Sequence, residues 1–236
     1  MNRRAVIETR DLRVSYGTQV VLDQVNLVVL EGEFVSIVGK SGCGKSTLLL
    51  ALAGFIARDG YVGAPEQIGV VFQNYAAFPW LTVRGNIAFG LSHLDESARS
   101  SVIDRHLELI ELTEHQHKFP AQLSGGQNQR VALARALAPN PSIVFMDEPF
   151  GALDLFTRDR MQEWLEDIRA KQRNTILFVT HNIEEAIFLS DRVVLIGEGG
   201  ILDEVQVTLP RPRTVKLKYE PAFVDLKRRI VEKMWA

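Results

Sequence analysis

Residues 34–46 read FVSIVGKSGCGKS, and this stretch decides the fold. It opens with a short apolar segment typical of a buried strand, and residues 46–53 have helical composition. Between them, residues 39–46 satisfy the pattern G-x-x-x-x-G-K-[ST]. Glycines let successive backbone N–H groups turn inward toward phosphate oxygens, and the following helix adds its positive N-terminal end. The stretch therefore predicts a phosphate-binding loop between a strand and a helix.

The side chains of this loop predict a site for a nucleoside triphosphate and Mg²⁺. Lys45 brings a positive charge to the β- and γ-phosphates, and the Ser46 hydroxyl can be a metal ligand. A chance glycine-rich turn would match the pattern in roughly one chain in a hundred of this length. We interpret Cys43 as a small loop residue, because no histidine lies near it in the sequence to activate a thiol. The predicted nucleotide contacts here are Gly39, Ser41, Gly42, Cys43, Gly44, Lys45, Ser46 and Thr47.

A second part of the site is predicted at residues 143–148, which read IVFMDE. An aspartate that ends a buried strand beside a phosphate loop can hold Mg²⁺, and we expect this of Asp147. Glu148 could polarise the attacking water as a general base. Strands that end in charged turns are common, so the pattern is informative only because a phosphate loop precedes it.

Composition favours one globular domain without affinity for nucleic acid. The 236 residues are 46% hydrophobic and 24% charged, and the net charge of −2 gives no attraction to nucleic acid or anionic lipid. The single cysteine allows no internal disulfide and suits a reducing compartment. The apolar runs are too short to span a bilayer, and the charges that follow Arg3 and Arg4 argue against an export signal. We expect the basic clusters 211–213 and 227–229 to be solvated surface.

Strands and helices alternate along the chain, with a helical block in the middle. This order predicts a parallel sheet core with an inserted helical subdomain. The predicted strand segments are 6–15, 20–30, 34–38, 61–72, 143–146, 175–179, 192–196 and 201–207. The predicted helices are 46–53, 81–91, 96–112, 124–138, 154–172, 182–189 and 221–235. Apolar residues at helical spacing predict that the last helix packs on the core.

Residues 123–127 read LSGGQ and predict a second anion-binding element. Ser124 is suited to cap a helix, whose first N–H groups would face an anion. An ordinary capped helix explains Ser124 but not Gly125 and Gly126, which weaken a first turn unless backbone must approach something closely. The segment resembles the signature sequence of ABC (ATP-binding cassette) ATPases, which implies ATP contacts at Ser124, Gly125, Gly126 and Gln127.

Other short segments resemble ABC cassette motifs, and the resemblance implies a role for each. Tyr16 matches the aromatic residue that stacks on adenine, and Gln73 matches the glutamine that senses Mg²⁺ and water. Residues 151–154, GALD, match the D-loop. His181 matches the switch histidine that contacts the γ-phosphate. The resemblance also implies a head-to-tail dimer with a second copy, in which Ser124 and Gly126 of one copy close on ATP held by Lys45 of the other.

The same resemblance implies an α/β fold of the P-loop NTPase (RecA-like) type. A mainly parallel core would carry an N-terminal antiparallel β-subdomain and an inserted α-helical subdomain. Within one domain, we assign 1–73 and 138–208 to the nucleotide-binding core, 74–137 to the helical subdomain and 209–236 to a tail. The sequence departs from the family at Asn128, often glutamine, where we expect little effect. The segment from Lys45 to Gln73 is also short, and we predict a trimmed hairpin over 59–67.

Residues 73–91 resemble importer ATPases of the nitrate, sulfonate and taurine type, as do residues 209–213. This implies a separate integral membrane permease, an indirect link to a solute-binding protein, and a peripheral location on the cytoplasmic face of the plasma (inner) membrane. Residues 79–83 would meet the permease. Phe78 and Trp80 are either exposed contacts for it or core of the helical lobe, and the sequence leaves both open.

Two other functions compete with an importer ATPase. A non-transport ABC ATPase of DNA or ribosome processes usually carries a long coiled coil, a zinc insertion or two cassettes, and the sequence shows none. An unrelated P-loop kinase would lack LSGGQ and the Asp147–Glu148 pair. A binding module without turnover would lack Glu148 or His181. The transported solute is not predicted, because the cassette never touches it.

Overall fold

The computed structural model describes residues 3–72, 77–151, 153–172 and 174–235. The core is a six-stranded sheet with the order β10-β9-β4-β8-β7-β6. Its neighbouring strands run parallel except β10, which is antiparallel to β9. These strands are β4 (Phe34–Val38), β6 (Ile68–Val71), β7 (Ile143–Asp147), β8 (Ile176–Thr180), β9 (Arg192–Gly197) and β10 (Gly200–Gln206).

The central strands are apolar along their whole length because both faces of the sheet are covered. Every residue of β4 and β8 is buried, as are the first four residues of β7. A parallel sheet covered on both faces needs such continuous apolar runs rather than an alternating pattern. The carboxyl ends of these parallel strands therefore lie side by side at one edge of the sheet. The predicted site residues follow the strands at this edge.

A second, antiparallel sheet lies at the N-terminal end of the chain. β1 (Ala5–Tyr16) pairs with β2 (Gln19–Val25), β3 (Val28–Leu30) and β5 (Asp59–Gly63). The predicted segment 20–30 is divided into β2 and β3. At the break, the Thr9 hydroxyl donates to Val25 O at 2.9 Å and accepts from Leu27 N at 2.8 Å, so a side chain replaces part of the strand ladder.

The predicted hairpin over 59–67 is wrong. β5 pairs with β1 in the N-terminal sheet, whereas β6 pairs with β7 in the core sheet. The short segment therefore crosses from one sheet to the other instead of folding back on itself. Gly60 has φ of 85°, and a Cβ there would lie 2.4 Å from Asp11 O, so only glycine fits this approach to β1.

The helices agree with the sequence-based predictions to within a few residues at their ends. They are α1 (Lys45–Leu52), α2 (Val83–Ala88), α3 (Glu96–Leu109), α4 (Gly125–Leu137), α5 (Leu155–Gln172), α6 (Ile183–Leu189) and α7 (Pro221–Trp235). Of these, α2, α3 and α4 are inserted between β6 and β7. The predicted packing of the last helix is confirmed, since Phe223, Leu226 and Ile230 are buried in the core. Among the described residues, no helix has the length and hydrophobicity needed to cross a bilayer.

One of the two basic clusters is not solvated surface, contrary to the prediction. Arg213 is only 3% exposed, and its guanidinium donates to the carbonyl oxygens of Ile187, Phe188 and Ser190 at the end of α6. These carbonyls lack helical partners, and Arg213 satisfies them. Burial is the main cause that lowers the pKa of Arg213 to about 10. Arg211 is also engaged, with Glu166 and Asp191.

Arg213→Met should lower the free energy of unfolding by about 3 kcal/mol, because it leaves buried carbonyl groups without donors. Denaturant unfolding of the purified chain measures this change. Arg228→Met is the matched control, since the Arg228 side chain is 69% exposed on α7 and should change stability by no more than about 0.5 kcal/mol. Equal stability of the two variants would contradict the capping role of Arg213.

Candidate functional site

The predicted phosphate loop joins β4 to α1 and has the backbone shape that its glycines allow. Gly44 precedes α1 with φ of 100°, a conformation that L side chains rarely adopt. Gly39 passes so close to β9 that a Cβ would lie 2.4 Å from Ile196 O. Burial raises the pKa of the Cys43 thiol, which keeps it protonated at neutral pH and favours the interpretation of Cys43 as a small loop residue.

Lys45 lies inside the curve of this loop. Its side chain is buried, and Nζ donates to Gly39 O at 3.0 Å and to Lys40 O at 2.8 Å. The ammonium group is therefore held at the loop by two backbone carbonyl groups of the loop itself. An ammonium group with three donors can keep part of this attachment while it turns a donor toward a phosphate oxygen.

Ser46 and Asp147 come together at the carboxyl end of the core sheet. The Ser46 hydroxyl donates to Asp147 Oδ1 at 3.1 Å. Burial raises the pKa of Asp147, while the hydrogen bond from Ser46 opposes that shift. A hydroxyl and a carboxylate are hard oxygen ligands, and Mg²⁺ is typically bound by one or two protein groups together with substrate phosphates and waters. These two residues fit that ion, and the described residues contain no cluster of three or more His, Cys, Asp or Glu side chains suited to a metal.

Glu148 and His181 form a second contact at the same edge. Glu148 follows β7 and His181 follows β8, the adjacent parallel strand. His181 Nδ1 lies 3.0 Å from Glu148 Oε2, and Glu148 N donates to Val179 O at 2.9 Å. The backbone of Glu148 has φ of 42°, in the left-handed region that is uncommon for residues other than glycine. The structure thus brings the predicted base and the predicted switch histidine into contact.

The LSGGQ segment begins a helix as predicted. The Ser124 hydroxyl accepts from Gln127 N at 3.2 Å, and the Gln127 side chain accepts from Ser124 N at 3.0 Å, so the two residues form a capping box. The Ser124 hydroxyl hydrogen is free of this arrangement and can be donated elsewhere. Asn128 lies on α4 as expected, and its amide donates to Pro120 O.

The two elements predicted to bind anions line different cavities. Ser124, Gly126 and Gln127 line one of about 350 Å³ together with Thr157 of α5. Residues 40–43 of the phosphate loop line another of about 340 Å³ together with Ile196 and Met234. One copy of the chain therefore presents the signature segment and the phosphate loop at separate places.

The structure also places the remaining predicted contacts. Tyr16 ends β1 and is half exposed. The interpretation of Trp80 as core is wrong, because this side chain is 68% exposed. Phe78 is partly buried, and its ring stacks on Trp80 at 5.2 Å and packs against Phe89 at 4.5 Å. Gln73, and Ala152 of the predicted D-loop, lie outside the described residues.

Several buried polar residues next to the site escaped the sequence reasoning. Gln129 of α4 donates its amide to Pro149 O at 2.8 Å, which ties the signature helix to the segment after Glu148. Arg158 and Glu185 approach each other at 3.5 Å behind His181. The sequence signal that could have pointed to Arg158 and Glu185 is their spacing from predicted motif residues. Arg158 lies four residues after Asp154, and Glu185 lies four residues after His181, which is one helical turn in each case.

Comparison with known proteins identifies the family that has this site. Residues 22–151 match the ABC transporter family profile, which covers more than half of the chain. The chain belongs to the ABC transporter family. This ABC protein is 44% identical over 230 residues to the nitrate import ATP-binding protein NrtD of Synechococcus elongatus, covering 89% of this chain and 83% of the relative. It is 38% identical to the aliphatic sulfonates import ATP-binding protein SsuB 2 of Rhizobium johnstonii, over 97% of this chain and 90% of the relative.

A solved ABC cassette has the same fold. The dimeric post-hydrolysis structure of the ATP-binding cassette MJ0796 bound to ADP and Pi superposes with a TM-score of 0.73 and 31% identity, over 86% of this chain and all of that one. The expected fold of a mainly parallel core, an N-terminal antiparallel sheet and a helical insertion is confirmed. The chain is thus an ATP-binding ABC ATPase.

Proposed function

We propose that this ABC ATPase hydrolyses ATP to power an importer that takes up a small solute through a separate permease. The observation that supports this proposal is that the predicted phosphate loop and the start of α4, each suited to an anion, line separate cavities of one chain. Two half-sites in one chain favour a dimeric ATPase whose two copies close over ATP and separate after hydrolysis. The names of the relatives, nitrate and aliphatic sulfonates importers, favour a small anion as the first solute to test.

The two half-sites are completed by a second copy of the chain. In the proposed head-to-tail dimer, the Ser124 hydroxyl and the first N–H groups of α4 reach the γ-phosphate of ATP held by Lys45 of the other copy. A helix N-terminus with two glycines suits this approach, because its N–H groups and its dipole attract an anion. Ser124 keeps its cap while it donates, since the cap uses only its oxygen.

In the proposed hydrolysis step, Glu148 accepts a proton from the attacking water as the water oxygen bonds to the γ-phosphorus. The bond from the γ-phosphorus to the β–γ bridging oxygen breaks, and ADP leaves with that oxygen. With a proton on each ring nitrogen, His181 would donate from Nδ1 to the Glu148 carboxylate and from Nε2 to a γ-phosphate oxygen. We propose that Ser46, Asp147 and Gln73 hold Mg²⁺, which would neutralise the charge on the β- and γ-phosphates. Tyr16 would stack on adenine from the end of β1.

The proposed permease contact lies at the aromatic surface formed by Phe78, Trp80 and Phe89. Trp80 is the most exposed of the three, and its ring stacks on the partly buried Phe78 ring. Exposed aromatic side chains backed by packed neighbours are typical anchors of protein interfaces. We place the chain at the cytoplasmic face of the plasma (inner) membrane as a peripheral subunit.

Trp80→Ala should impair assembly with the permease and leave the ATP affinity of the free chain unchanged, because the ring is exposed and is not among the residues that line the cavity at the phosphate loop. Co-purification of the chain with its permease, together with ATP titration, measures both quantities. Tyr219→Ala is the control, since Tyr219 is 81% exposed but lies on the tail. Normal assembly of the Trp80 variant would remove Trp80 from the interface.

The overall function is tested by isolating the tagged chain from its native membrane and identifying what co-purifies. We expect an integral membrane permease and, through it, a solute-binding protein that can be screened with nitrate, bicarbonate and alkanesulfonates. ATP hydrolysis by reconstituted vesicles should then depend on that solute. Recovery of ribosomes or DNA-processing proteins without a permease would contradict the importer.

A further inference from the structure

The turn that carries His181 is fixed by a buried carboxylate outside the predicted ATP contacts. The Thr180 hydroxyl donates to Glu185 Oε2 at 2.6 Å and accepts from Asn182 N at 3.0 Å. Thr180 is 1% exposed and Glu185 is 4% exposed. The residues on both sides of His181 are therefore held through Glu185, which sets the backbone from which the histidine reaches Glu148.

The opposite face of this carboxylate meets the helix that follows the D-loop. Arg158, on the first turn of α5, donates from Nη2 to Leu153 O at 2.8 Å. Its Nε lies 3.5 Å from Glu185 Oε1 and, among the described residues, is a buried donor without a hydrogen-bond partner. Asp154 caps the same helix by accepting from Thr157 N at 3.1 Å. Arg158 therefore moves with the D-loop and faces Glu185 across a gap slightly longer than a hydrogen bond.

These contacts close a ring around the predicted base. From Glu148, the His181 contact leads through Thr180 and Glu185 to Arg158 and Leu153. The return path uses backbone hydrogen bonds, from Leu153 N to Phe150 O at 3.1 Å and from Gly151 N to Glu148 O at 3.1 Å. Both ends of the ring thus meet at Glu148, one at its carboxylate and the other at its backbone carbonyl.

Stability alone does not account for this pair. Glu185 is buried, whereas the Arg158 side chain is 26% exposed. Replacing an ion pair that is withdrawn from water by apolar residues is often neutral or stabilising, because desolvation of the charges offsets their attraction. Here burial raises the pKa of Glu185, with Thr180 and Arg158 opposing the shift. The one Arg158 donor that faces the carboxylate is left without a hydrogen bond, although a shift of less than 1 Å would form one.

We infer that Arg158 and Glu185 are positioning residues. They couple the position of the D-loop, residues 151–154, to the position of the His181 side chain beside Glu148. Movement of the D-loop toward α6 would bring Arg158 Nε within hydrogen-bond distance of Glu185. Glu185 would then shift the Thr180–Asn182 turn through its hydrogen bond with the Thr180 hydroxyl. The inference rests on the proposed ATP hydrolysis by Glu148 and adds two residues that are not among the predicted ATP contacts.

The test is a double-mutant cycle on the full chain with Glu185→Gln and Arg158→Gln. Each variant should lower kcat for ATP about tenfold, with KM for ATP within about twofold, and the double variant should be no slower than either single one. Multiplying losses, an unchanged kcat, or a loss confined to KM would overturn the coupling. Glu184→Gln is the matched control, because Glu184 is the half-exposed neighbour on α6 and pairs with Lys227.

A second pair of variants covers the case in which Glu185→Gln or Arg158→Gln fails to fold. Thr180→Val keeps the shape of the side chain without its hydroxyl and should lower kcat, whereas Thr180→Ser should restore it. Equal kcat in both would overturn the inference. Failure of the proposed hydrolysis by Glu148 gives a different result, since Glu148→Gln would then hydrolyse ATP as fast as the unaltered chain.

Discussion

Glu148→Gln should lower the ATP turnover number by about 10²- to 10⁴-fold, the range expected for loss of a general base. The amide cannot accept the proton of the attacking water, but it has nearly the same shape and should leave ATP binding intact. A closed dimer should then accumulate with ATP, because the step that reopens it is blocked. Steady-state hydrolysis, ATP titration and size-exclusion chromatography in ATP measure the three quantities.

The control for this prediction is Glu96→Gln, which removes an exposed carboxylate on α3. It should leave turnover unchanged and give no dimer beyond that of the unaltered chain. Undiminished hydrolysis by Glu148→Gln would refute the role of Glu148, whatever the dimer does.

Lys45→Ala should abolish tight ATP binding and lower affinity by about 100-fold or more, because hydrogen bonds from a charged donor contribute roughly 1.5–3 kcal/mol each. Titration with labelled ATP measures the loss, and a thermal unfolding curve shows whether the loop survives without the Nζ contacts to Gly39 and Lys40. Lys227→Ala, an exposed lysine change on α7, should have no effect. Unchanged ATP affinity of Lys45→Ala would refute the phosphate loop.

Mixing two inactive variants tests whether the site is shared between copies. Lys45→Ala and Ser124→Arg should each hydrolyse ATP poorly alone. A mixed dimer places both lesions in one composite site and leaves the other intact, so a random mixture should regain at most about a quarter of full activity. No recovery would count against a site built from two chains.

Most of the proposed ATP site could be named from the sequence, because a phosphate loop requires glycine, lysine and serine at fixed positions. Gly44 shows why: its left-handed backbone before α1 leaves few substitutes. Asp147 and His181 could be placed because each follows a buried strand, and parallel strands end at one edge of the sheet. The Glu148–His181 contact follows from the same geometry.

Long-range partners could not be predicted from local patterns. The crossing from β5 to β6 depends on which sheet each strand joins, and both are short extended segments. Arg213 resembles a solvated arginine in sequence, since its partners at the end of α6 lie more than 20 residues away. Gln129 is likewise an ordinary helical glutamine until Pro149 is placed beside it.

The aromatic surface at Trp80 is joined to the helix that begins at the signature segment. Arg135, near the end of α4, lies over the Phe78 ring at 4.4 Å, and Ser124 caps the start of that helix. With 13 residues, α4 is a rod about 20 Å long. A permease that bound at Trp80 would contact the C-terminal end of α4 through Phe78 and Arg135, while the N-terminal end of the helix would bind the γ-phosphate. A conformational change of the permease and the closure of the site over ATP would then both move helix α4 as one rigid body.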